Sequence, residues 1–339
     1  MERSIDLEAP AAPHERADVS AVTVRNGRFW IPGDVTQVGI TVQSGPMYVY
    51  WEAPEVVTRP HPVIFVHGGG SQGTDWLGTV DGRPGWARRF VEAGFAVYVV
   101  DRPGHGRSAF HPDVIGAMGP QFGYEPAVGL FIDSATDEPH TAWPWGSAPG
   151  DPEMDQLIAA VGPLPADLGL SEELDSDRLA ALLDLTGPAV LVTHSAGGPS
   201  GWLTAALRPG LVTAIAAIEP MGPAFAEFPG LGTLTWGLTA APLAYDAGYE
   251  TPAAVEAAPA GERTVAALAG LPVAVFTGGS SPFSHVAPAV VEFLGHAGAA
   301  AEWVHLPDLG IHGNGHGLMY ELNSDDTVRP VIDWIAAHD

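Results

Sequence analysis

Runs of apolar residues too continuous for half-buried strands constrain this chain more than any other feature. Pro62 to His67, Phe95 to Val100, Ala189 to Val192, Val212 to Ile218 and Pro272 to Thr277 each read as a short strand with apolar side chains on both faces. Such a strand needs cover on both sides, and a parallel sheet provides it by packing crossover helices above and below. Helical spacing occupies the intervals: Trp86 to Gly94, Ser171 to Leu185, Gly198 to Leu207, Ala287 to Gly295 and, after a further strand at Ala301 to Leu306, Asp325 to His338. Strand and helix alternating in this way predict a mostly parallel, doubly wound α/β sheet.

The remaining segments have a different character. Thr23 to Tyr50 carries short β-rich pieces, Val35 to Val42 and Pro46 to Trp51, that predict antiparallel strands ahead of the parallel part. Residues 1–20 mix charge and proline without an apolar centre, so they read as a flexible N-terminal arm rather than a signal peptide. Two stretches, about 110–170 and about 220–265, are rich in Pro and Gly yet hold many large apolar side chains, among them Trp143, Trp145, Met221 and Phe225. Long irregular segments in a compact domain are usually functional or disordered, and these are too apolar for disorder. The expectation is one domain over 21–339, with the two stretches as cap insertions folded over a site at the carboxyl edge of the sheet. Trp143, Trp145, Met221 and Phe225 are the candidate substrate-binding residues.

Leu191-Val-Thr-His-Ser195-Ala-Gly-Gly198 sets a serine directly after a buried strand and directly before a helix. A serine on so sharp a turn has its hydroxyl lifted above the sheet edge, and its small neighbours permit the strained backbone. The position two before it is Thr193, where the usual pattern has glycine; Gly197 keeps the position two after. Serine is a weak nucleophile near neutral pH and needs a base, itself held by an acid. Glu219 ends the next strand, and neighbouring strands lie only about 4.8 Å apart. The segment after the following strand, Gly278-Gly-Ser-Ser-Pro282, contains no carboxylate, which leaves Glu219 as the acid.

Two histidines, His312 and His316, compete as base in the loop after the last strand; His316 is preferred because a turn at Asn314 and Gly315 would present it inward. Their spacing of four does not make a metal pair, since Gly-Asn-Gly between them is not helical and no Glu intervenes, so no metal is expected. Backbone amides of Gly69, in the loop His67-Gly-Gly-Gly70, and of Ala196 are the candidate oxyanion donors. Gly68-x-Gly70-x-x-Gly73 followed by Asp101 also matches a dinucleotide fingerprint, but Gly78, Gly82, Pro84 and Gly85 keep a helix from opening there.

Composition removes competing chemistries. Among 339 residues, 40 Asp plus Glu stand against 14 basic side chains, a formal charge of −26 that repels nucleic acid and anionic lipid. Every basic residue is Arg, so Walker-type phosphate loops, pyridoxal chemistry and Schiff bases have no lysine to use. Cysteine is absent, which excludes thiol nucleophiles, disulfides and Cys-based metal sites. No apolar stretch is long enough to span a bilayer.

On these motifs the chain resembles the α/β-hydrolase superfamily, through the His-Gly-Gly-Gly loop, Asp101-Arg-Pro-Gly-His-Gly-Arg-Ser108 and the Ser195 elbow. Within it, His194-Ser195-Ala-Gly, Ile218-Glu-Pro-Met-Gly-Pro223, Leu309-Gly-Ile-His-Gly-Asn-Gly-His316 and Trp143-Pro-Trp145 are similar to the esterase 713-like group of bacterial serine esterases. The resemblance implies an α/β-hydrolase fold, Ser195, Glu219 and His316 as catalytic triad, and Gly69 and Ala196 at the oxyanion hole. The expected activity is a serine hydrolase cleaving carboxylic esters of medium-sized hydrophobic or aryl groups, without cofactor. Amidase, lactonase and acyltransferase chemistry on the same triad are the alternatives; a non-catalytic binding protein or a nucleotide-dependent oxidoreductase is more remote. The expected partner is a small-molecule ester, with no nucleic acid and no membrane insertion and with a homodimer left open. A cytoplasmic location is expected, a trimmed leader being the alternative.

Overall fold

The computed structural model describes residues 21–108 and 110–338. Among the described residues the principal sheet has eight strands: β1 (Val24–Ile31), β2 (Met47–Pro54), β3 (Val63–Val66), β4 (Val97–Asp101), β5 (Ala189–His194), β6 (Val212–Ile218), β7 (Pro272–Thr277) and β8 (Ala300–His305). They lie in the order β1-β2-β4-β3-β5-β6-β7-β8. β2 is antiparallel to both β1 and β4, and every later pairing is parallel.

The continuous apolar runs are buried on both faces. Along β5, Ala189 and Leu191 enter one core while Val190 and Val192 enter the other, and β6 sends Ile215 and Ala217 to the first core and Ala214, Ala216 and Ile218 to the second. This is the two-residue period of a strand acting between two layers. The first core is closed by α2 (Leu168–Thr186), α3 (Gly198–Leu207) and α4 (Ala287–Ala297); the second by α1 (Trp86–Glu92) and α5 (Ser324–His338). α2 begins where the Asp167 side chain accepts from the Leu170 amide at 2.9 Å, a cap for one of the unpaired first-turn donors.

Two expectations change. Val35 to Val42 is not one strand but a separate hairpin, Asp34–Gln37 against Thr41–Ser44, because Gly39 at φ +82° reverses the chain between them. The strand that pairs with β2 is instead Val24–Ile31. The predicted arm, residues 1–20, lies outside the described residues. The 110–170 stretch contains short helices at Pro112–Ile115, Tyr124–Ala127 and Pro152–Ala160, and the 220–265 stretch a two-residue hairpin, Glu227–Phe228 with Gly232–Thr233, and a helix at Pro252–Ala257. Both touch the carboxyl edge of the sheet. The Gly162 amide donates to the Gly70 carbonyl at 2.6 Å and the Met221 amide to the Ser195 carbonyl at 3.1 Å.

Candidate active site

Pairing of β5 with β6 ends at His194 opposite Ile218, so Ser195 and Glu219 are each the first residue past the ends of neighbouring strands. Both have left-handed backbones, φ +50° at each. For residues with a Cβ this conformation costs about 1–3 kcal/mol and persists only when the surroundings enforce it. Close packing enforces it at Ser195. A Cβ added at Gly197 would fall 2.5 Å from the His67 carbonyl oxygen, and one at Gly198 would fall 2.9 Å from Pro220 Cβ. Glycine is therefore required on the far side of the turn, and the serine takes the strain.

His316 reaches this edge from the long loop between β8 and α5. Its Nε2 lies 3.1 Å from Ser195 Oγ, and its Nδ1 lies 3.6 Å from Glu219 Oε2. The side chains of His316 and Glu219 are fully buried. Three rings pack around it: Phe283, stacked at 4.5 Å, His194 at 4.7 Å and Phe131 at 5.1 Å. His194 Nε2 donates to the His316 carbonyl at 3.1 Å. Glu219 accepts from the Gly278 amide at 2.6 Å through one oxygen and from the Ser281 hydroxyl through the other. The Gly278–Ser281 turn, which lacks a carboxylate of its own, thus serves to hold the one beside it. His312 stands outside, its side chain exposed and 3.6 Å from Glu138 Oε2. The left-handed residue that aims the loop is Gly313, at φ +77°, rather than the Asn314–Gly315 pair.

Burial drives the electrostatics of this trio. It pushes the His316 imidazole down to about 3, against the field of Glu321, so the ring is neutral near neutral pH and has a lone pair for a proton. Burial also pushes the Glu219 carboxyl up to about 8, opposed by its bonds from Ser281 and Gly278.

The loop after β3 is pinned by polar groups that do not reach the cavity centre. His67 Nδ1 donates to the Gly68 carbonyl at 2.8 Å, its Nε2 accepts from the Arg102 amide at 2.9 Å, and Arg102 Nη1 adds a second bond to the Gly68 carbonyl at 3.3 Å. Since a trans peptide sets its N–H opposite its C=O, the Gly69 amide points away from Arg102. A Cβ added at Gly69 would fall 3.2 Å from Ala196 Cβ, which places the two candidate oxyanion residues side by side.

A serine and a carboxylate just past neighbouring strand ends, with an imidazole brought to them by the loop after the last strand, match a known family. The model of the alpha/beta hydrolase fold matches residues 61–241. The chain belongs to the α/β-hydrolase superfamily. A relative named "Probable secreted lipase phiG", from Fungal sp. (strain ATCC 74256), is 33% identical over 323 residues, covering 88% of each chain. The solved structure of a bacterial esterase superposes with a TM-score of 0.70, covering 94% of this chain and 98% of that one, at 24% identity. That second similarity is one of fold.

This α/β-hydrolase has a cavity of about 160 Å³ opening onto Ser195. Gly69, Ala196 and Met221 line it, together with Phe122, Leu130, Phe131, Leu164, Phe228, Leu231 and Phe283. Trp143, Trp145 and Phe225 do not. Trp143 is buried in the second core with Trp145 edge-on against it at 5.1 Å. Phe225 turns to Phe293 and lies under the Arg263 guanidinium. In irregular segments no period distinguishes a cavity-facing ring from a packing ring, so those three candidates are corrected. Leu164, Leu231 and Phe283 were not singled out by the sequence; Phe283 carried a signal, following the Gly-Gly-Ser-Ser turn that holds Glu219.

Other residues also find different partners. Asp101 accepts from the Gly73 amide and from the amide, Nε and Nη2 of Arg107, so it braces the loop instead of facing a ribose. Arg102 pairs with buried Asp175 of α2 at 2.6 Å. Asp75 is buried, which raises its carboxyl to about 7. Among the described residues no group of three or more His, Cys, Asp or Glu could hold a metal ion, and no helix is long and apolar enough to cross a membrane.

Proposed function

We propose that this chain is a serine hydrolase that cleaves carboxylic esters of medium-sized hydrophobic or aryl groups through an acyl-enzyme. The observation that carries the reading is Ser195 Oγ at 3.1 Å from a buried, neutral imidazole, on the wall of an apolar cavity. Ser195 attacks the ester carbonyl while His316 Nε2 takes its proton. The imidazolium that forms is stabilised by Glu219, whose Oε2 closes from 3.6 Å onto Nδ1–H as the ring becomes positive. Amides of Gly69 and Ala196 receive the oxyanion, each worth about 10²-fold or more in rate. His316 returns the proton to the leaving alcohol, and water then repeats the cycle to free the acid. The 110–170 and 220–265 stretches act as a cap that keeps the acyl group dry.

The lipase in the name of the 33%-identical relative supports ester chemistry, and the apolar lining supports an apolar acyl group. That name also carries a secreted location, which weighs against the cytoplasmic placement expected from the sequence. A cysteine-free chain is indifferent to the redox state of either compartment.

The test pairs labelling with turnover. A fluorophosphonate probe labels the wild-type protein and not Ser195→Ala, and p-nitrophenyl butyrate is hydrolysed far faster than the matching anilide, with acid rather than transesterified product when an alcohol is added. An unlabelled wild type would overturn the reading; preference for the anilide or for alcohol transfer would replace the ester assignment.

Leu164 sets the depth of the cavity beside Gly69, where an added Cβ would come within 2.2 Å of Leu164 Cδ2. Leu164→Ala is expected to raise the ratio of kcat/KM for decanoate over butyrate esters about tenfold, within the range that a few methylenes command in an apolar pocket. An unchanged ratio would show that the acyl chain lies elsewhere.

A further inference from the structure

The loop that carries His316 is fastened by a second buried carboxylate that takes no part in the triad. Glu321, 1% exposed, accepts from the Gly315 amide at 2.8 Å and from His140 Nε2 at 3.1 Å through Oε1, and from Asn314 Nδ2 through Oε2. Asn314 and Asn323 exchange amide hydrogen bonds at 2.7 and 3.1 Å and close the ring of contacts. The two residues before the base are thus tied to one carboxylate, Gly315 through its backbone amide and Asn314 through its side chain.

The other end of the tie comes from the 110–170 stretch. His140 Nδ1 lies 2.8 Å from the Ile132 carbonyl while its Nε2 faces Glu321. Both ring nitrogens face acceptors, an arrangement only the doubly protonated ring satisfies fully. Burial opposes that charge, but the hydrogen bond and charge of Glu321 and the Ile132 carbonyl outweigh it and hold the His140 pKa above the ordinary range. The adjoining residues make a strap across both loops of the site. Ala142 N donates to the Gly313 carbonyl, the Gly313 amide donates to Glu138, Thr136 Oγ1 donates to the Gly279 carbonyl and the Ser280 hydroxyl to the Glu138 carbonyl. The fit is close: a Cβ added at Gly315 would fall 2.8 Å from His140 Cε1.

We propose that the buried His140–Glu321 pair is a positioning device for the base, holding residues 314–315 so that the His316 ring meets Ser195 Oγ. The inference rests on His316 acting as base toward Ser195. A displacement of about 1 Å at such a group costs on the order of 10²-fold in rate, with little effect on ground-state binding. Neither residue lines the cavity or belongs to the oxyanion loop, so loss of the pair falls on kcat and not on KM.

The experiment measures kcat, KM and the rate of fluorophosphonate labelling for Glu321→Gln, His140→Ala and His140→Gln. Glu321→Gln lowers kcat and the labelling rate together by about 10²-fold with KM within about threefold, because an amide presents a donor where His140 or Asn314 already donates. His140→Ala lowers both by about tenfold, and His140→Gln, which keeps a donor toward Glu321, restores most of the loss. A Glu321→Gln protein with wild-type kcat, a rise in KM equal to the fall in kcat, or equal behaviour of the two His140 variants would overturn the proposal. Should Glu321→Gln not fold, the His140 pair of variants decides alone. A wild type that the probe does not label is a failure of the hydrolase reading; a labelled wild type matched in rate by the variants is a failure of the positioning role.

Discussion

Alanine at Ser195 or at His316 is expected to lower kcat on a p-nitrophenyl ester by about 10⁴–10⁶, and the double variant to lose no more than the single ones. In the proposed mechanism the two side chains act as one unit, a hydroxyl and the imidazole 3.1 Å from it, so removing either leaves the other without a task. On the proposed mechanism the residual turnover comes from the oxyanion amides and from binding in the cavity, neither of which these substitutions touch. The same measurement on His312→Ala is the control. That residue sits four positions earlier in the same loop with an exposed side chain, and its ion-pair contact is with Glu138 and not with the site, so kcat stays within a few-fold of wild type. Losses at His312 and His316 of similar size would transfer the base or show that the loop is merely fragile; additive losses at Ser195 and His316 would mean that they serve different steps.

How much of this was readable in advance depended on whether the constraint was local. The β3, β4, β5, β6 and β7 runs are apolar on both faces because two helical layers cover them, and that demand is written residue by residue. Ser195 and Glu219 share the same legibility: each is the first residue past a buried strand, and the order of the strands places them side by side. His316 was harder. Its direction is set by the left-handed Gly313, by the rings of Phe283 and Phe131 packed against it and by contacts from Glu321, and only the first of these is near it without a change of chain direction. The cavity lining was least legible. Trp143 and Trp145 pack into the core while Leu164 and Leu231 face the opening, and in segments without helical or strand period nothing in spacing separates these outcomes. Arg102 shows the same limit: its partner Asp175 is on α2, 73 positions away, and no neighbouring residue announces it.

Glu219→Gln is expected to lower kcat by about 10⁴ while leaving the fold intact, for a reason of tautomers rather than of shape. The glutamine oxygen can still accept from the Gly278 amide, but its NH₂ then faces His316 Nδ1 and donates to it. That fixes the ring proton on Nε2, where a base for Ser195 must have a lone pair. The pH profile separates this from a general loss. In the wild type a proton entering as pH falls belongs to the His316–Glu219 pair and disables it, either by occupying the base or by neutralising the carboxylate that supports the imidazolium. Burial raises the Glu219 carboxyl to about 8, so kcat/KM falls as pH drops through that region and is flat above it. In Glu219→Gln the remaining titrating member is His316, which burial holds down to about 3, so the small residual rate no longer falls between about pH 8 and 5. Stability moves the other way. A carboxyl whose pKa is raised on folding holds more protons folded than unfolded, so its contribution is lost as pH rises from about 4.5 toward 8. The glutamine variant lacks that dependence and melts at or above the wild-type temperature at pH 8. A variant with kcat within tenfold of wild type, or with the wild-type acid limb still in place, would remove Glu219 from the triad; one that melts well below wild type at pH 8 would mean that the lost activity is lost structure.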